Sequence, residues 1–175
     1  MKKLKGVCIG AGYFSHFQYE AWNRMPEVKI TALCNSNRER ASSVMHLYGI
    51  KNHYTDYREM LDKEKPDFVD IITPPPTHLE MTAEALYRDI HVICQKPLTP
   101  TIEDSVKIRD LTNRYKARCM VHENWRFQPW YREIKKLLEA HTIGDQIFNI
   151  SFLMRMGDGW GQDAYYGGAG DDTVS

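Results

Sequence analysis

The stretch Val7-Cys8-Ile9-Gly10-Ala11-Gly12-Tyr13-Phe14-Ser15 runs an apolar segment directly into a Gly-x-Gly turn that opens a helix. Leu4 to Ile9 reads as a short buried strand. Phe14, Phe17, Ala21 and Met25 then recur at helical spacing and predict an apolar helix face. Strand, glycines and helix in that order form the context of a dinucleotide-binding fingerprint. Gly10 suits a tight turn, Gly12 lets the backbone approach a pyrophosphate, and the helix N-terminus offers N–H groups and positive dipole. Ser15 stands at the third glycine position and is small enough for close helix–strand packing. Taken by itself the segment also reads as a glycine turn with no ligand.

Bulk properties narrow the classes. The 175 residues suffice for one domain and the beginning of a second. Lys+Arg and Asp+Glu balance at 23 each, so no overall charge favours nucleic acid or an anionic membrane. An apolar fraction of 42% supports a real core. No run approaches the ~18–20 apolar residues of a membrane helix. Met1-Lys2-Lys3 imitates the start of a secretion signal, but the following apolar run carries the glycines and passes into His16, Gln18 and Glu20 without a cleavage site. A cytoplasmic location is expected. Cys8, Cys34, Cys94 and Cys119 lie in or beside apolar runs and form no C-x-x-C pair, so buried reduced thiols are expected and zinc is not. Cys94, close to Lys96, is the one candidate for a reactive thiol. The histidines show no metal spacing.

Outward from the glycine turn, strands and helices alternate. Strands are predicted over Val28–Cys34, Phe68–Ile72, His91–Cys94 and Arg118–His122. Helices are predicted over Arg38–Tyr48, from the Asp56 cap to Lys63, from Thr77 with Leu79, Ala83 and Leu86 on one face, and over Ile102–Tyr115. This alternation indicates parallel βαβ units and a Rossmann-type doubly wound α/β sheet. From Glu123 the pattern changes. Pro129 opens a helix with Trp130, Ile134, Leu137 and Leu138 as an apolar stripe, and Ile147–Met154 alternates like one strand of a half-exposed sheet. Six of the eleven glycines follow between Gly157 and Gly170, so the second unit reads as the start of an unfinished domain.

In an open parallel sheet, ligands bind beyond the carboxyl ends of the strands. Gly10–Ser15, Cys34–Arg38, Thr73–His78 and Gln95–Pro97 all fall there. At the end of the second strand, where an acid usually holds the NAD ribose, stand Asn35, Ser36, Asn37 and Arg38. Asn35 can bond a ribose hydroxyl without repelling a 2′-phosphate, and Arg38 can pair with that phosphate, so both NAD and NADP stay open. Asn35-Ser36 also reads as a helix N-cap. Lys96, between a buried strand and Pro97, can donate a proton or a charged hydrogen bond to a substrate oxygen. A surface lysine is the competing reading. His78 either lines the nicotinamide side or simply starts a helix.

Together, Gly10-Ala11-Gly12-Tyr13-Phe14, Thr73-Pro74 with His78, Gln95-Lys96-Pro97-Leu98, and His122-Glu123-Asn124-Trp125-Arg126-Phe127 leading to Pro129 resemble the Gfo/Idh/MocA (glucose–fructose oxidoreductase / inositol dehydrogenase) family. The resemblance implies an NAD(P)-binding Rossmann domain over 1–122 and, over 123–175, the truncated start of an α+β C-terminal substrate domain. It implies NAD(P)-dependent oxidation or reduction of sugars or cyclic polyols, and a homo-oligomer at full length. It assigns proton handling and substrate binding to Lys96, with Trp125 and Arg126 as further substrate contacts. Cofactor contacts fall to Gly10, Ala11, Gly12, Tyr13, Phe14, Asn35, Ser36, Arg38, Thr73, Pro74, His78, Gln95, Lys96 and Asn124.

Three departures accompany the resemblance. Gln95 replaces the usual glutamate beside the lysine, and Asn35 replaces the usual acid. Nothing after Arg155 matches the family's catalytic Asp and His; Gly167-Gly168-Ala169-Gly170-Asp171 has no following histidine. The expectation is therefore a truncated or frameshifted dehydrogenase, weakly active or inactive as this chain. The alternatives are a non-catalytic NAD(P)-binding or regulatory module and a plain structural fragment.

Overall fold

The computed structural model describes residues 3–153. Six strands form one sheet: β1 (Leu4–Ile9), β2 (Val28–Cys34), β3 (Asn52–Tyr54), β4 (Phe68–Ile71), β5 (His91–Gln95) and β6 (Cys119–His122). Their order is β3-β2-β1-β4-β5-β6, and every pairing is parallel. β1 lies between β2 and β4, so the winding direction reverses beside it, the switch point at which such sheets bind ligands. This is the expected doubly wound sheet.

Strand periodicity sends alternate side chains to opposite faces. Val7 and Ile9 join Ala32, Cys34, Val69, Ile71, Val92 and Cys94 on one face. There they pack on Met60 and Leu61 of α3 (Tyr57–Glu64) and on Ala85 and Leu86 of α4 (His78–Tyr87). Cys8 and Leu33 turn to the other face, against Tyr19 of α1 (Ser15–Asn23) and Ala41 and Val44 of α2 (Arg38–Tyr48). Each of the large aliphatic side chains so buried contributes roughly 1.5–3 kcal/mol. A further helix, α5 (Ile102–Arg114), buries Ile108.

Three details differ from the sequence reading. In α1 the apolar set is not the buried set: Phe14, Phe17 and Met25 stay 38%, 58% and 45% exposed. Ser15, Gln18 and Tyr19 are buried instead. The reason lies beneath the helix, where the Asp70 carboxylate and the Gly10 carbonyl need donors that only a polar helix face supplies. On α4, similarly, His78, Thr82, Ala85 and Leu86 are buried, while Leu79 and Ala83 are half-buried. Finally β3, three residues at the sheet edge, was too short to stand out from its polar surroundings.

A second compact unit begins at Asn124. It contains a 3-10 turn over Asn124–Phe127 and α6 (Pro129–Glu139), with Pro129 in its first turn as expected. Residues 147–153 form no strand, contrary to the alternation there. A strand needs a neighbour for its backbone groups, and no described residue pairs with this segment. Met154 and the glycine-rich stretch beyond it lie outside the described residues.

Candidate functional site

Four loops gather at the carboxyl edge of the sheet: Gly10–Phe14 after β1, Asn35–Asn37 after β2, Ile72–Thr77 after β4 and Lys96–Thr101 after β5. The two glycines of the first loop are required for different reasons. Gly10 has φ +117°, and an added Cβ would lie 2.9 Å from the Ile72 carbonyl oxygen, so both conformation and packing demand glycine. An added Cβ on Gly12 would meet no atom within 4 Å. Among the described residues, chain neighbours aside, nothing fills the space beside Gly12, which suits the close approach of a pyrophosphate.

The helix that follows matches this purpose. Asn37, Asp56 and Thr101 cap α2, α3 and α5 with side-chain oxygens. No side chain caps α1, and its first turn carries no acid. Ser15 is fully buried, with its amide 3.0 Å and its hydroxyl 2.6 Å from the Gly12 carbonyl, so it locks the turn from inside. Tyr19 donates to the Gly10 carbonyl at 2.8 Å. Ala11 is buried, whereas Tyr13 and Phe14 are exposed with their rings edge to face at 5.5 Å.

After β2, the Asn35 amide side chain donates to the Asn37 carbonyl at 2.9 Å. The N-cap is Asn37, whose Oδ1 accepts from the Arg40 amide at 3.0 Å, and not Asn35-Ser36. Ser36 and Arg38 are exposed. Arg38 is the first residue of α2 and lines a polar recess of about 400 Å³ with Lys51, His53, Glu59 and Lys63. His53 Nε2 lies 2.9 Å from the Asn35 carbonyl, which ties β3 to this corner.

After β4, Thr73 and Thr77 share a hydroxyl hydrogen bond of 2.7 Å, and Pro74 is exposed. After β5, Gln95 Oε1 accepts from the Lys96 amide at 2.8 Å. The glutamine standing where the family has an acid thus braces the backbone of the lysine. Lys96 is half-buried, and the Lys96–Pro97 peptide is cis. His78 is completely buried. Its Nε2 faces the Thr73 carbonyl at 2.7 Å and its Nδ1 the Leu98 carbonyl at 3.0 Å. Each ring nitrogen thus faces a backbone carbonyl inside the protein. Cys94 is buried and its thiol is pushed up to about 12, by burial first and by Cys119 second, which corrects the expectation of a reactive thiol. Asn124, Trp125 and Arg126 belong to the second unit, where the Arg126 guanidinium lies 5.4 Å from the Phe127 ring centroid.

Sequence reading missed the polar group under the glycine loop. Asp70, in the middle of β4, is fully buried. It accepts from Trp22 Nε1 at 2.7 Å and from Gln18 Nε2 at 3.3 Å. Gln18 Nε2 also lies 3.1 Å from His122 Nδ1, and among the described residues Gln18 Oε1 has no partner. Burial raises the Asp70 carboxyl to about 7, against the opposing pull of the Trp22 and Gln18 hydrogen bonds. The available signal was an acid inside the apolar run Phe68-Val69-Asp70-Ile71-Ile72.

Comparison with known proteins agrees with this geometry. Residues 4–123 match the Gfo/Idh/MocA oxidoreductase family, described by its NAD-binding Rossmann fold. The chain is 35% identical over 153 residues to D-apiose dehydrogenase of Paraburkholderia graminis, covering 87% of this chain and 41% of that protein. It is 29% identical over 158 residues to the NAD(+)-linked scyllo-inositol 2-dehydrogenase of Bacillus subtilis, covering 89% and 46%. Among solved structures, an oxidoreductase of Agrobacterium radiobacter in complex with NAD+, L-tartaric acid and magnesium superposes with a TM-score of 0.79 at 31% identity, over 82% of this chain and 42% of that one. The chain thus spans less than half the length of these relatives.

Proposed function

Because the chain belongs to the Gfo/Idh/MocA oxidoreductase family, we propose that it is the nucleotide-binding part of an NAD(P)-dependent dehydrogenase of sugars or cyclic polyols, with the Rossmann domain over 1–122 and a substrate domain beginning at 123. One observation carries this reading. The open cradle over Gly12, the uncapped start of α1, Asn35 and Lys96 all lie on loops at one edge of the sheet, around the β1/β4 switch point.

Gly10–Phe14 and the first turn of α1 receive the pyrophosphate, with N–H groups and helix dipole opposing its charge. Asn35 bonds a ribose hydroxyl, and Arg38 accommodates a 2′-phosphate when NADP binds. A nicotinamide held at this edge would supply the hydride donor or acceptor for a carbinol or carbonyl carbon. Lys96 gives a proton to the substrate oxygen when a carbonyl is reduced and takes the hydroxyl proton when a carbinol is oxidised. Gln95 holds the Lys96 backbone without placing a negative charge beside the ammonium. Thr73 and Pro74 wall the side of the β4 loop.

Titration calorimetry with NADH and NADPH tests the reading directly. Micromolar binding of either is expected, and millimolar or weaker binding of both sinks it. Nucleotide binding without turnover on inositols, hexoses or pentoses assigns a binding module instead.

A further inference from the structure

The β4–β5 ladder holds as far as Ile71 and Cys94. Beyond it the two strands give way to separate loops, one carrying Thr73 and the other Lys96. His78 stands where the first loop enters α4, wholly buried. Its ring nitrogens reach in two directions, Nε2 to the Thr73 carbonyl in its own loop and Nδ1 to the Leu98 carbonyl in the other. Both partners are carbonyl oxygens, so each bond needs an N–H: the ring makes both only as the imidazolium, and a neutral ring makes the bond to Leu98 only in the tautomer protonated at Nδ1. Among the described residues, the bond from Nδ1 to Leu98 is the single hydrogen bond that joins the two loops.

Lys96 is held from both sides. On its N-terminal side, Gln95 is in register with His122 of β6 and accepts the Lys96 amide. Two residues after Lys96, the Leu98 carbonyl is held by His78. If that second hold is released, Lys96 keeps its strand anchor but loses the restraint on its far side.

We propose, on the reading that this edge binds a nicotinamide nucleotide, that His78 is a positioning residue: its Nδ1–H bond to the Leu98 carbonyl fixes the Lys96 loop over the nicotinamide half of the site. The adenosine half, served by Gly10–Phe14 and Asn35, does not depend on this bond. His78 acts through Lys96 and does not touch the nucleotide.

Two substitutions of similar polarity separate this role from packing. An asparagine amide nitrogen falls near the Nδ1 position and a glutamine amide nitrogen near Nε2. His78→Asn therefore keeps a donor toward Leu98, and His78→Gln keeps one only toward Thr73. Binding of NADH and of ADP-ribose, which lacks the nicotinamide, is measured for both variants and the parent chain. The expected result is NADH affinity within ~3-fold of the parent for His78→Asn and a loss of ~10-fold or more for His78→Gln, the scale of one buried hydrogen bond. ADP-ribose should bind all three within ~2-fold.

Equal NADH affinity in the two variants, or an equal loss for ADP-ribose, overturns the positioning role. If the parent binds neither compound, the nucleotide-site reading itself has failed, a different result from either of these. Should neither variant fold, the His78 Nδ1 proton of the parent chain decides by NMR. A slowly exchanging Nδ1–H supports the bond to Leu98, and its absence overturns it.

Discussion

Helices α1 and α2 cover the same face of the sheet and are built on opposite plans. α2 follows local rules throughout. Asn37 caps it, Glu39 lies in its first turn, Ala41 and Val44 face the core, and Gly49 ends it. In α1 no side chain caps the start, no acid complements the dipole, three exposed residues form its aromatic and sulfur-bearing stripe, and Gln18 and Tyr19 are turned inward. α2 is specified by its own sequence, whereas the buried face of α1 is specified by the groups beneath it. Local rules fail where a site needs the same groups, and here the failure marks the nucleotide end of the sheet.

Loading the N-terminus of α1 is the strongest way to test the contrast. Gly12→Val should weaken NADH binding by ~100-fold or more, because a side chain occupies the approach to the pyrophosphate. Among the described residues, chain neighbours aside, no atom lies within 4 Å of the new Cβ, so the melting temperature should hardly move. A large fall in stability with binding intact would show that Gly12 serves the fold and not a ligand.

The buried face of α1 gives the next effect. The Asp70 carboxyl is raised to about 7 in the folded chain from an ordinary 3.8. Its contribution to stability is therefore full below about pH 4 and is lost as the pH rises toward 7. Asp70→Asn still accepts from Trp22, and its amide can donate to a turned Gln18, whose oxygen lacks a partner. Denaturant unfolding from pH 4 to pH 8 should lose this decline in the variant, which should exceed the parent at pH 8 by a few kcal/mol, on the order of the linkage for so large a shift. Parallel pH profiles would mean that folding does not raise the Asp70 carboxyl above its ordinary value. Glu64 acts in the opposite direction at lower pH. Burial opposes its charge, but hydrogen bonds from Lys5, Asn52, Tyr54 and Thr31 outweigh it and hold the carboxyl near 2, so its stabilisation is lost as pH falls below about 4.5.

Helix α2 should respond more modestly, as a helix governed by local rules does. Asn37→Ala removes the cap and should cost ~1 kcal/mol in unfolding free energy, with NADH affinity unchanged within error. Arg38→Ala leaves the cap in place and should weaken NADPH by a few-fold while sparing NADH, since an exposed charge pair is worth only ~1 kcal/mol or less. Equal affinities for NADPH before and after the change would make Arg38 a solvated surface charge.

The same contrast explains what was legible. Gly10, Gly12 and the alternation of strands and helices are short-range signals, and they led to the sheet and to its loaded edge. The α2 boundaries came from a breaker at Gly49 and a polar run at Asn35–Asn37, although the capping residue proved to be Asn37. The burial of α1 was not legible, because it depends on Asp70 some fifty residues away and on a register pairing Cys8 with Asp70. The sequence allows His78 to line the nicotinamide side or to start a helix, but its bond to Leu98 depends on how two loops twenty residues apart meet. The alternation over 147–153 was legible and misleading, since period-2 patterning does not provide the partner strand that would make it a sheet.

The indole of Trp22 donates directly to the Asp70 carboxylate and lies 5.0 Å from the Phe68 ring. Gain or loss of charge on that carboxyl changes the electric field along the ring, so the colour of the Trp22 emission follows the titration. Compared with a Trp22→Phe variant, which leaves the other three tryptophans in place, the emission of the parent chain is expected to report the charge on Asp70 without any added label.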